Sequence, residues 1–328
     1  LHGIANRQVN VNDDDLAYAK IRLDEQSMKT VTHHLADIEN SLARSIVWGS
    51  VWDSTQDAET KARDFVSLVL RNIATESESS TLRTALTQLV LAATTYVAPN
   101  YREETLTHAA VELWKLAQAA EPGSDSQFQF VTAFAAIAQT IEALTIVSGL
   151  REGSLTLDGL EIDTDLDWDL LTCLVAGGKA GEAEIEAALK ADATASGQQF
   201  AAKARAAIPT VEAKKAAWSS LVDSDSASNV IVRATTVGFQ RVNDSSLLEP
   251  FVEQYFNVLN DVWATRSYSI ASTLITGLYP IGLANTTLRN ATQTWLDTKP
   301  EPVAMRRLVI ESLADVDRAL AAQAKDAE

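Results

Sequence analysis

An all-α fold is predicted, and three observations carry it. Apolar residues recur at helical spacing along nearly the whole chain, alanine fills many of the positions between them, and the seven prolines in 328 residues fall mostly at segment edges. Alanine is the strongest helix former, and its small side chain lets helices approach closely. Proline breaks helix interiors, so its scarcity leaves long runs uninterrupted. Hydrophobic residues make up 46 % of the chain and charged residues 22 %, as in an ordinary globular protein.

The elements follow in order. Residues 8–23 differ from the rest: Asn12 to Asp15 is a turn-like cluster, and Leu16 to Leu23 alternates loosely, as an edge strand does. A lone strand needs a partner for its backbone. Either this one docks on the helical body or it completed a sheet elsewhere. From about Glu25 the period becomes helical, with Leu35, Ile38, Leu42 and Ile46 on one face. Ala58 to Ile73 presents Phe65, Val66, Val69 and Ile73, and Leu82 to Tyr96 presents Leu82, Leu86 and Leu89. Asn100 with Glu103 reads as a capping box for the next helix, and Ser124 with Gln127 opens a long apolar helix to about Val147. A glycine-rich stretch, residues 148–159, reads as a loop. Thr164 with Asp167 caps a helix ended by Gly177 and Gly178. The remaining segments are Gly181 to Leu189, Ala193 to Ala207, Val211 to Leu221 and Ala227 to Phe239. They continue with a helix capped by Ser246 and Glu249, then Ile270 to Leu278, Thr286 to Leu296 and Val303 to Ala322.

That makes about fourteen helices joined by short turns, which force antiparallel neighbours. Long series of such hairpins stack into curved double layers. The predicted class is therefore an irregular two-layer array of antiparallel helical hairpins, a HEAT/armadillo-like superhelix without a strict repeat period. A short strand-like element precedes it.

The formal net charge is −17, and residues 151–192 alone hold 11 acidic against 3 basic side chains. Such a field repels phosphate backbones and anionic lipid, so neither nucleic acid nor a membrane is an expected partner. No run approaches the roughly 18 apolar residues of a membrane span. The single cysteine, Cys173, sits in an apolar stretch, reads as a buried thiol, and fits a reducing, cytoplasmic compartment. The start at Leu1 rather than Met fits a piece of something longer.

Catalytic chemistry is hard to find. The four histidines are His2, His33, His34 and His108; His33 and His34 are neighbours and point to different helix faces, and no His-Glu-x-x-His pair exists. The run Asp163, Asp165, Asp167, Asp169 imitates the odd positions of a calcium loop. It has Trp168 where the loop needs glycine and Leu174 where it needs a bidentate glutamate. Those aspartates also suit the first turn of a helix. Glycine-rich phosphate loops and the Gly-x-Ser-x-Gly elbow are absent. Trp48 and Trp52, four apart, could form a ligand platform; core packing is the preferred reading. Arg233, Arg241, Arg266, Arg289, Arg306 and Arg307 are scattered and could clamp a carboxylate only if a fold gathered them. No catalytic, cofactor-binding or metal residue is assigned, and no substrate contact.

Several stretches together resemble one family. Residues 12–24 (NDDDLAYAKIRLD) resemble the exit of the small β-domain of actinobacterial aminopeptidase N, a zinc-dependent gluzincin, and residues 41–49 with Trp52 resemble the start of its C-terminal helical domain. Residues 119–125, 181–185, 238–240, 247–256, 305–308 and 318–320 continue the pattern, so the resemblance covers essentially the whole chain. It implies that residues 1–24 are the remnant of a preceding β-sandwich domain and residues 25–328 the helical domain. It places the zinc, its His-Glu-x-x-His ligands and the Gly-x-Met-Glu-Asn loop in a domain upstream, since none of these motifs occurs here. Asp167 departs from the basic residue expected before Trp168. The implied role is a non-catalytic concave wall or lid over a peptide cavity, in partnership with the upstream catalytic and β-domains. The alternative is a free-standing helical adaptor that binds peptides or proteins.

Overall fold

In the computed structural model, which describes residues 19–298 and 302–328, the regular structure is helical throughout: among the described residues there are sixteen α-helices and no strand. Two compact units form. The first comprises residues 19–137, 157–161 and 321–328; the second comprises residues 138–156 and 162–320.

The expected strand over residues 16–23 is the main correction. Residues 16–18 lie outside the described residues, and 19–24 are irregular. The expected alternation does not hold either, since Ala19 is exposed and Leu23 only half-buried, and Ile21 alone is inside. Ile21 is buried while Lys20 and Arg22 point outward to carboxylates, so an extended segment docks on helices rather than on a sheet. Its backbone finds a side-chain donor instead of a partner strand: the hydroxyl of Ser50 donates to the carbonyl of Ile21 at 3.0 Å.

In the first unit, α1 (Glu25–His34) starts where Asp24 accepts from the amide of Ser27 at 2.8 Å. A 3₁₀ turn follows, and Asn40 caps α2 (Ser41–Gln56) through the amide of Ala43. The apolar face expected to run on through Ile38 and Leu42 is thus cut by a cap. Then come α3 (Ala62–Asn72), α4 (Ser79–Leu91), a π-turn at Ala92–Tyr96, α5 (Pro99–Ala119) and α6 (Asp125–Ile137). Trp52 sits in the core between Phe65 and Tyr96, at ring distances of 5.2 and 5.7 Å. α5 begins at Pro99, so Asn100 lies inside the helix and the capping box expected there does not form. Ser124 does cap α6 as expected, accepting from the amide of Gln127 at 3.1 Å.

The missing cap of α5 comes from the far end of the chain. Asp326, fully buried, accepts from the amides of Ala98 (3.0 Å) and Arg63 (2.8 Å) and from Nε of Arg63 (3.0 Å). One carboxylate thus serves the N-terminal ends of both α3 and α5, where unpaired amides and the helix dipole favour a negative charge. Gln323 adds a bond to the carbonyl of Thr95 in the π-turn, at 2.8 Å. Asp326→Asn is expected to destabilise this unit by about 2 kcal/mol, because two buried amides lose a charged acceptor. Urea unfolding followed by tryptophan fluorescence checks this; an unchanged midpoint would remove Asp326 from the scaffold.

The second unit holds α7 (Ile141–Glu152), α8 (Thr164–Ala176), α9 (Glu182–Ala191), α10 (Ala195–Ala207), α11 (Val211–Val222) and α12 (Asn229–Gln240). It continues with α13 (Phe251–Thr265), α14 (Tyr268–Gly277), α15 (Thr286–Thr298) and most of α16 (Val303–Ala327). The long helix expected from Ser124 to Val147 ends at Ile137, and Thr140 starts α7 by accepting from the amide of Ala143. This split and the one before α2 account for sixteen helices where about fourteen were expected. α7 also runs to Glu152, into the expected loop, before Gly153 ends it at φ 73°. The core gathers Trp218, Phe239 and Phe251 with centroids 5.0 to 5.9 Å apart, and Tyr255 donates to the carbonyl of Ile275 at 2.8 Å.

Candidate functional site

The residues that could have carried chemistry are spread apart. Among the described residues no three His, Cys, Asp or Glu side chains come together as a metal site. His33 meets Arg71, His34 meets Asp37 at 2.9 Å, and His108 lies exposed on α5; His2 falls outside the described residues. A donor set that could hold zinc is therefore not assembled among the described residues.

The calcium-like run divides its labour. Asp163 caps α8 through the amide of Leu166 at 2.8 Å, taking the place expected of Thr164. Asp167 pairs with Arg151 at 3.1 Å and Asp169 with Lys203 at 2.8 Å, while Asp165 is exposed. Four carboxylates that leave in different directions cannot share a cation.

Cys173 is buried, and burial pushes its thiol up to about 11, with the charge of Arg241 pulling the other way. A thiol so far from ionising is a packing group, not a nucleophile. Trp48 and Trp52 are core residues, as preferred: Trp52 stacks in the interior, and Nε1 of Trp48 donates to Glu76 at 3.1 Å. The arginines of the second half mostly serve the fold. Arg266 and Arg306 bond the carbonyls of Val222 and Leu296, Arg289 pairs with Asp317, and Arg307 pairs with Glu311; Arg233 is exposed on α12.

One buried cation went unnoticed in the sequence. Lys214 is wholly enclosed, and its ammonium donates to the carbonyls of Ala206 (2.6 Å), Phe239 (3.0 Å), Gly238 (3.3 Å) and Arg241 (3.3 Å). These oxygens mark the C-terminal ends of α10 and α12, where helix dipoles welcome a positive charge. Burial pushes Lys214 down to about 7, and the charge of Arg241 adds to this. A lysine lowered in this way can act as a nucleophile in an open site. Here it has no route to a substrate, and its donors are spent on carbonyls.

Each unit carries an apolar groove. Between α4 and α6, Leu86, Val90, Phe128, Thr132 and Ala133 enclose about 400 Å³, with Arg83 at the margin. In the second unit α10, α11 and α12 enclose about 410 Å³, lined by Ala202, Ala213, Ala217 and Ile231, and there Arg205 is already paired with Glu182 at 2.7 Å. Neither groove sets a nucleophile beside a base.

Residues 9–318 match the model of the ERAP1-like C-terminal domain. This chain belongs to that family. It is also 44 % identical over 317 residues to the aminopeptidase N of Streptomyces lividans, an alignment that covers 97 % of this chain and 37 % of the relative. The domain is thus homologous to part of an actinobacterial aminopeptidase N, as the sequence resemblance implied, and spans little more than a third of that protein's length. No described helix of the domain is long and apolar enough to cross a membrane.

Proposed function

We propose that this domain is the non-catalytic C-terminal part of a zinc-dependent aminopeptidase that removes N-terminal residues from peptides. The observation that carries the reading is the 44 % identity to an aminopeptidase N across nearly the whole of this chain. The dispersed histidines and carboxylates support it, because the zinc chemistry then belongs to upstream domains. In this reading residues 1–24 belong to a preceding β-sandwich domain and residues 25–328 to the helical domain, a division supported by Asp24 capping the first helix. The domain's role is to form a wall or lid of the substrate cavity: to select peptides, exclude folded chains and shield the reaction from water. The expected compartment of the whole protein is the cytoplasm.

The purified 328-residue chain is expected to show no turnover of aminoacyl-anilides, whereas the longer protein that contains it turns them over in a chelator-sensitive way. Deleting the domain from that protein is expected to change selectivity for peptide length more than the rate on a single aminoacyl-anilide. Chelator-sensitive hydrolysis by the highly purified chain alone would sink the non-catalytic assignment. Unaltered length selectivity after deletion would sink the wall or lid.

A further inference from the structure

The turn between α2 and α3 has features that its connecting role does not require. It presents two carboxylates side by side. Asp57 takes both Lys20, at 2.7 Å, and Arg22, and Glu59 takes Nε of Arg22 at 2.6 Å. Between them Ala58 sits at φ 58°, a left-handed conformation that costs a non-glycine residue about 1 kcal/mol or more. The turn is held in that shape from inside: the amides of Glu59 and Thr60 both donate to the carbonyl of Ser54, and the amide of Ala58 donates to that of Thr55. Thr55 and Thr60 also join their hydroxyls at 3.1 Å. A strained, over-determined backbone that aims two side chains at one target fits a positioned contact better than a passive link.

The target is extended chain, not helix. Lys20, Ile21 and Arg22 precede the first cap of the domain, and within the segment Nη1 of Arg22 donates to the carbonyl of Ile21 at 3.1 Å, too little to fix its course. They are held by three kinds of contact together. The side chain of Ile21 is 9 % exposed, its carbonyl accepts from Ser50, and the cations on either side reach Asp57 and Glu59. The polar part is partly solvent-exposed, so salt screens it, whereas the buried isoleucine is insensitive to ions.

We infer that the α2–α3 turn is a clasp for the incoming chain, in which Asp57 and Glu59 grip Lys20 and Arg22 and so fix the position and direction in which an upstream domain joins this one. The inference deepens the reading above, because it assumes that a catalytic domain precedes these residues. If a lid must stand in a set place over a cavity, its attachment has to be defined. The clasp defines it through side chains that can let go without unfolding a helix.

The clasp lends itself to trypsin, because both gripped residues are tryptic sites. Protection of such bonds tracks how often the segment opens. The 328-residue chain and its D57N/E59Q variant are digested briefly. Cleavage after Lys20 and Arg22 is read by mass spectrometry and normalised to a synthetic peptide of residues 15–27. At low salt the variant is expected to be cut there roughly tenfold faster than the parent, the effect of losing two to three partly exposed ion pairs, while sites inside helices stay protected. Rising salt is expected to speed cleavage of the parent toward the variant's rate and to leave the variant unchanged. Equal cleavage of the two at low salt would overturn the clasp. Should the variant unfold, the salt series on the parent still decides: a flat response there also overturns it. Neither result touches peptidase activity, so a failed clasp leaves the proposed function standing.

Discussion

Glu76→Gln is expected to lower the stability of the first unit by about 3 kcal/mol, the loss typical of a buried ion pair deprived of one charge. Glu76 is the best-satisfied carboxylate among the described residues. Arg44 grips it through Nε at 3.2 Å and Nη2 at 2.9 Å, Trp48 donates at 3.1 Å, and the amides of Ser77 and Glu78 donate at 3.0 and 3.1 Å. Arg44 in turn donates to the carbonyls of Ile38 and Glu39, which close the break between α1 and α2. The pair therefore pins the chain between α1 and α2 to the loop between α3 and α4. A glutamine keeps the shape and can accept some of these bonds, but it leaves the Arg44 charge without a counter-charge. Replacing both residues, Arg44→Met with Glu76→Leu, is expected to recover only part of the loss. The indole and two amides would still lack an acceptor, and an unmet buried donor costs about 1 to 3 kcal/mol.

The same site has a defined pH dependence. Burial pushes Glu76 up, but the bonds from Arg44, the amide of Glu78 and Trp48 outweigh it, and the net shift is downward. A carboxyl lowered in the folded state binds its proton more tightly when unfolded. Its stabilising contribution is thus complete above the ordinary carboxylate value of about 4.3 and fades as pH falls through the lower folded value. Urea midpoints of the parent and Glu76→Gln measured from neutral pH down to acid should converge below that point. A gap that stays constant with pH would show that the charge of Glu76 contributes nothing.

What could be read from the sequence follows from how local each cause is. Helix faces are written in residues three and four apart, so the predicted segments from 164 onward closely match α8 to α16. Caps were less legible, because a cap is a geometry and its residue types also occur inside helices. Thr140 interrupts an apolar run without a proline or glycine to announce it, and the cap of α5 is Asp326, over two hundred residues away. The edge strand expected over residues 16–23 does not form: residues 19–24 are irregular and Ile21 alone among them is buried. A loose alternation reports at most that one face is buried and says nothing of what buries it. At the candidate site, Cys173, Trp48 and Trp52 were legible as core residues because they lie in apolar runs, and each is buried. Lys214 gave no warning. On α11 it stands beside Lys215, and only the close packing of α10 against α12, which brings their C-terminal carbonyls together, encloses one of the two lysines. The family was legible because it is written in a long series of ordinary surface and core residues rather than in a motif.

That meeting of helices yields the other large effect. Gly238→Ala is expected to cost about 3 kcal/mol, the upper range for forcing volume into a filled interface. A methyl group at Gly238 would lie 1.9 Å from the carbonyl oxygen of Lys203 and 3.0 Å from Cβ of Ala206, so the backbones of α10 and α12 are already as close as they can be. The obstacle is backbone, which cannot rotate away as a side chain can. One helix must therefore translate by about 1 Å or more, against the density of a packed interior. On α10 the small Ala206, buried in the same core as Phe239, makes this approach possible. A shift of α12 would also strain Lys214, whose four carbonyl partners span the ends of both helices, at Ala206 on one and at Gly238, Phe239 and Arg241 on the other. The two features are therefore coupled, and a double-mutant cycle exposes the coupling. Gly238→Ala and Lys214→Met should each destabilise the second unit in urea. Together they should cost less than their sum, because a displaced α12 has already given up part of the lysine's bonds. Strict additivity would mean that the close approach and the buried ammonium act independently. In that case Lys214 would cap each helix separately instead of locking their crossing.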